Sequence, residues 1–128
     1  MFAKSLVAAA AIALSLAVPT MAQDAASPDG TWVDRWGTSF TFSLCGDGTQ
    51  LCGVLNDIQG DSRTEENLQF VNQEVVRGTQ TGPNKWEGDI ALNGGNAKAT
   101  VELTGADTLK ITGCRAAILC SSIDYQRQ

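Results

Sequence analysis

Period-two alternation of apolar and polar residues constrains this chain of 128 residues more tightly than any other feature. Thr38, Phe40, Phe42 and Leu44 alternate with Ser39, Thr41 and Ser43, which puts bulky apolar groups on one face of an extended segment and hydroxyls on the other. The pattern recurs in Trp86, Gly88, Ile90 and Leu92 against Lys85, Glu87 and Asp89, and in Ala97, Ala99, Val101 and Leu103 against Lys98, Thr100 and Glu102. It returns in Leu109 and Ile111 against Thr108, Lys110 and Thr112. Turn signals separate the segments: Gly46-Asp47-Gly48, Thr81-Gly82-Pro83-Asn84, Asn93-Gly94-Gly95-Asn96 and Gly105-Ala106-Asp107. Strand starts are predicted near residues 30, 37, 50, 67, 73, 84, 96, 107 and 118, a rhythm of about 12 residues that suits an antiparallel meander. No segment carries a sustained apolar stripe of helical period. The polar stretch 57–67 (DIQGDSRTEEN) reads as a long loop with a helical turn around Arg63 to Glu66.

About eight short strands with one apolar face must hide that face, and closure into a small up-and-down β-barrel does so while removing the sheet edges. A two-sheet sandwich is the competing all-β solution. The barrel is expected over residues 30–128, as a single domain. Ahead of it, Lys4 precedes the apolar run Ser5 to Val18, and Thr20 and Ala22 place small residues before a cut after Ala22. Residues 1–22 therefore read as a cleaved signal peptide, the apolar run being shorter than the roughly 20 residues that span a bilayer. Residues 23–29 (QDAASPD) read as a flexible leader. Loss of Lys4 leaves 8 basic against 14 acidic residues. Such an acidic chain without basic clusters argues against nucleic acid and anionic membrane surfaces, no later segment reads as a membrane span, and a periplasmic or secreted monomer is expected.

Export directs the reading of the four cysteines. Cys45, Cys52, Cys114 and Cys120 are even in number and destined for an oxidising space, so two structural disulfides are the default. Zinc is disfavoured because the spacings are C-x6-C and C-x5-C and the chain has no histidine; a redox C-x-x-C is absent too. In an up-and-down meander the turn between strands two and three lies at one end and that between seven and eight at the other. Disulfide Cα atoms lie within about 7 Å, so the prediction is Cys45–Cys52 and Cys114–Cys120. One strand more or fewer within 57–67 would bring both turns to the same end and allow cross-linking.

Gly30-Thr31-Trp32 opens the first strand and Tyr125-Gln126-Arg127 closes the last. This resembles the calycin superfamily of lipocalin-like barrels, which implies that Trp32 plugs a closed end with Arg127 lying across its indole. The wider order also includes Leu51-Cys52-Gly53-Val54-Leu55, the polar loop 57–67, Trp86-x-Gly88 and Leu109-Lys110-Ile111-x-Gly113. Together these motifs resemble an uncharacterised family of small exported proteobacterial proteins, classed as a domain of unknown function and covering essentially all of 23–128. The chain departs from that family in two places. No Asn-Pro follows the aspartate after Leu55, and Asp89-Ile90-Ala91 stands where Tyr-x-Pro is usual. The resemblance implies fold and compartment and carries no activity.

Catalytic chemistry finds little support. Histidine, a Gly-x-Ser-x-Gly elbow and a phosphate-binding glycine loop are all absent, and paired cysteines leave no thiolate. The carboxylate pairs Asp57 and Asp61, Glu65 and Glu66, and Asp29 and Asp34 read as solvated loop charges. No catalytic residue, cofactor or metal is therefore expected. A non-enzymatic binding module is the favoured class, taking a small apolar ligand at the barrel mouth. Trp32, Phe40, Phe42, Leu55, Trp86, Ile90, Val101 and Ile111 are expected nearly to fill the interior, and Trp32 or Trp86 would report a ligand by fluorescence. Two alternatives are a protein-binding module or protease inhibitor acting through residues 23–29 and the loop 57–67 on an envelope protein, and a structural envelope-associated protein.

Overall fold

Eight antiparallel strands follow one another in sequence order around a closed barrel, as the computed structural model shows for residues 27–92, 95–115 and 119–128. They are β1 (Gly30–Val33), β2 (Ser39–Cys45), β3 (Gln50–Asp57), β4 (Glu74–Gly82), β5 (Lys85–Leu92), β6 (Gly95–Leu103), β7 (Thr108–Cys114) and β8 (Cys120–Arg127). The expected signal peptide 1–22 and residues 23–26 of the leader lie outside the described residues. The strand expected near residue 67 is instead a 3-10 turn (Gly60–Ser62) followed by the short helix α1 (Glu65–Leu68). Thr64 is the physical reason: its hydroxyl accepts from the Asn67 N–H at 3.1 Å, an N-cap that starts a helical turn and keeps the segment out of the sheet.

Alternation decides which side chains face inward. Trp32, Phe40, Phe42, Leu51, Leu55, Val76, Trp86, Val101, Leu109 and Tyr125 are buried in one cluster. Phe42 stands opposite Gly53, where a Cβ would collide with the Phe42 ring and press on Val76. The Leu51-Cys52-Gly53 triplet thus supplies an inward leucine, an outward cysteine and a space for an aromatic ring.

Both disulfides lie within hairpins at opposite ends. Cys45 is bonded to Cys52 with Cα atoms 6.0 Å apart, and Cys114 to Cys120 at 4.0 Å. At the first turn Gly46 (φ 62°) and Gly48 (φ 96°) occupy the left-handed region, which glycine enters without a Cβ penalty. Asp47 accepts from the Thr49 hydroxyl at 2.6 Å and from its N–H at 3.0 Å, which holds its carboxyl below the usual carboxylate range.

The barrel closes on two residue pairs between β1 and β8, Trp32 with Arg127 and Val33 with Gln126. The Arg127 guanidinium lies over the Trp32 ring, Cζ 4.3 Å from its centroid. It donates from Nη1 to the Asp29 carbonyl (2.7 Å), from Nη2 to the Ser27 (2.8 Å) and Ala106 (3.0 Å) carbonyls, and from Nε to the Ala106 carbonyl (3.2 Å). Trp32 Nε1 donates to the Pro28 carbonyl at 2.9 Å, and the Leu44 N–H to Asp29 Oδ1 at 2.9 Å. Ser27–Asp29, expected as part of a flexible leader, are therefore bound to the closed end, because they supply the acceptors that the buried indole and the guanidinium require. An ammonium cannot reproduce this planar set of donors over an indole. Arg127→Lys is predicted to lower the unfolding free energy of the oxidised protein by about 1–3 kcal/mol. Urea unfolding measures it, and an unchanged midpoint would show that closure does not depend on the guanidinium.

Candidate functional site

Large side chains do not fill the whole barrel. Trp32, Phe42, Leu55, Trp86 and Val101 are buried in the core cluster, but toward the Asp34 end the interior holds a cavity of about 460 Å³. Small inward residues make the room. Gly95 and Ala97 on β6 stand opposite Leu92 and Ile90, and Gly113 on β7 stands opposite Ser121 on β8. Phe40, Ile58, Ile90, Leu92, Ile111 and Ile123 supply the apolar wall. The expectation of a nearly full interior fails because it counted the bulky residues and not the glycines, alanine and serine that share their faces.

Two of the loops at the mouth are tied to each other. The turn after β1 begins at Asp34, whose Oδ1 accepts from the backbone N–H groups of Trp36 (2.8 Å), Gly37 (2.9 Å) and Thr38 (2.9 Å). The loop after β3 is joined to it at Thr38, whose hydroxyl accepts from the Gln59 N–H at 2.9 Å. Trp36 lies against Gly60, which adopts φ 72°, and the Arg35 guanidinium sits over its ring at 4.2 Å. Trp36 (47% exposed) and Leu119 (63% exposed) are large apolar groups facing solvent at the cavity entrance.

Polar groups come from several sides of the cavity: the turn after β1, the loop after β3, Asn96 on β6, and Arg115 and Ser121. Asp34 follows the last β1–β8 pair and so falls beside Tyr125, and both line the cavity. Asp34 is 8% exposed and Tyr125 5%. Burial first, and the Asp34 carboxylate second, push the Tyr125 phenol above its ordinary value, so it remains a protonated donor. Asn67 is buried at the same end, its Nδ2 donating to the Ser62 carbonyl at 2.9 Å.

Several expected roles are relocated. Asp29 and Asp34 are not a pair: Asp29 accepts from Leu44 at the closed end, whereas Asp34 is at the open one. Asp34 is also no solvated charge, because three N–H donors replace its water. Trp32 and Trp86 are poorly placed as reporters. Trp86 Nε1 donates to the Thr49 carbonyl at 2.9 Å, at the closed end, and Trp36 is the tryptophan that borders the cavity. The Asp-x-Trp-type turn was the available signal in the sequence, since Asp34 precedes Gly37 by three residues and aspartate commonly folds back on such N–H groups. Among the described residues no group of three or more cysteine or carboxylate side chains is placed to hold a metal ion, and no helix is long and apolar enough to cross a membrane.

The loop after β3 is pinned by Asp57, which accepts from Gln59 Nε2 (2.9 Å) and the Ile58 N–H (2.9 Å) and lies 3.5 Å from Arg63 Nη1. The Gln59 amide, then the Ile58 N–H and the Arg63 charge, hold the Asp57 carboxyl below the usual carboxylate range. A carboxyl depressed in the folded state stabilises it fully above the ordinary range, and the contribution is lost as pH falls through the folded value. Hydrogen-exchange protection of the Gln59, Arg63 and Thr64 amides should accordingly fall on acidification in the native chain more than in Asp57→Asn, whereas equal acid responses would assign the loop's order to other contacts.

No family model matches the chain, and neither the curated proteins nor the solved structures yield a match.

Proposed function

We propose that this chain is an exported, non-enzymatic binding module that holds a small, largely apolar molecule in the cavity at the open end of its barrel. One observation carries the reading: a lumen of about 460 Å³, with Phe40, Ile90, Leu92, Ile111 and Ile123 on its wall, entered past the exposed Trp36 and Leu119. That volume falls within the range of pockets that enclose small ligands, and exposed aromatic and aliphatic groups at a concave entrance are typical of such sites. Two intrachain disulfides favour an oxidising compartment, periplasmic or extracellular, as do the signal-like segment 1–22 and the resemblance to small exported proteins. The loop 57–67 contributes Ile58, Gln59, Asp61, Ser62 and Asn67 to the cavity. Those five residues favour a part in the small-molecule site over a separate protein-binding surface.

Titration of the oxidised protein with n-octanol is expected to give saturable binding by calorimetry and a matching change in tryptophan emission. Trp36→Phe should remove the emission change and leave the calorimetric signal. Ala97→Leu, which narrows the lumen without touching its polar wall, should weaken binding at least about ten-fold. A flat calorimetric titration would overturn the reading, and undiminished affinity in Ala97→Leu would place the ligand elsewhere.

A further inference from the structure

Asp34 and Tyr125 present the cavity with two polar atoms whose burial the fold alone does not explain. Asp34 Oδ1 is taken up by three backbone donors, but among the described residues none donates to Oδ2. Among the described residues no lysine or arginine forms an ion pair with Asp34, although the residue is 8% exposed. The Tyr125 hydroxyl, on a residue 5% exposed, likewise has no hydrogen-bond partner among the described residues. A buried carboxylate without a cation and a buried phenol without a partner each cost stability, and the large majority of such groups are satisfied in folded proteins. Both side chains line the same cavity.

We propose that the ligand is a small cationic amphiphile, an apolar body bearing a primary ammonium group that donates to Asp34 and to the Tyr125 oxygen. This inference rests on the cavity being the binding site. An ammonium has three donors and no acceptor, so it can donate to the unused carboxylate oxygen and to a lone pair of the phenol oxygen together while its body packs on Phe40, Ile90 and Ile123. A carboxylate head would meet the Asp34 charge in a low-dielectric wall, where like charges repel most strongly. The charged groups lining the cavity are two carboxylates, Asp34 and Asp61, against one guanidinium, Arg115. Arg115 is exposed, so solvent weakens its attraction for an anion, whereas Asp34 is enclosed. A hydroxyl head satisfies the same two atoms without neutralising the charge, and is expected to bind more weakly than the ammonium.

Matched titrations at pH 7 with n-octylamine, n-octanol and octanoate separate the possibilities by head group at constant tail. Octylamine is expected to bind at least about ten-fold more tightly than octanol, and octanoate more weakly than either. In Asp34→Asn the Oδ1 acceptor for the three turn amides is kept and the charge is removed. Octylamine affinity should then drop to that of octanol in the same variant, and an unchanged near-ultraviolet circular dichroism spectrum reports that the variant is folded. Tyr125→Phe should weaken octylamine and octanol alike. If octanol or octanoate binds the native protein as tightly as octylamine, or if Asp34→Asn leaves the preference for the amine intact, the head-group assignment is overturned while the cavity stands. If none of the three binds, the cavity reading falls with it.

Discussion

Closure of the sheet between its first and last strands is the constraint on which the rest of this structure depends. Seven of the eight junctions are hairpin neighbours in sequence, and their pairing costs little loop entropy. The eighth joins residue 32 to residue 127 and is made by two residue pairs. So short a ladder is reinforced by side chains: the indole of Trp32 beneath the guanidinium of Arg127, and four donations from that guanidinium to carbonyls of Ser27, Asp29 and Ala106. The arginine thus binds the segment entering β1, the turn between β6 and β7 and the last strand at a single point.

The same seam also creates the site. Because β1 stops at Val33, the next residue leaves the ladder and folds its carboxylate back on three backbone amides. Alternation from the buried Trp32 turns Asp34 into the barrel, and the register of β1 on β8 sets it beside Tyr125. On the far side of the lumen, Gly95, Ala97 and Gly113 leave the volume that the closed half fills with tryptophan and phenylalanine. The disulfides act on neither feature at long range. Each closes a loop of a few residues, which removes less unfolded-state entropy than a long loop does, and their effect is to hold the two hairpin turns at opposite ends.

Much of the fold was legible because strand periodicity is a local property. Phe40 and Phe42, Trp86 to Leu92, Ala97 to Leu103 and Leu109 to Ile111 each announce a half-buried strand by themselves, and Gly46 and Gly48 announce the turn they make. The strand expected at residue 67 was misread because the hydroxyl of Thr64 competes for the Asn67 amide, a bond that periodicity does not register. The cavity was illegible for a different reason. Its volume is what remains after side chains from β2, β5, β6, β7 and β8 meet, and no single segment reveals that small residues from three strands face the same region.

Alternation and turn residues by themselves determined that this chain forms antiparallel strands and that each cysteine pair flanks a single turn. Both follow from rules that act over a few residues. Tertiary structure alone decided where the barrel is hollow and that Asp34 and Tyr125 share its wall. Those features depend on the register of strands far apart in sequence, and above all on how few residues β1 and β8 pair before the chain turns away.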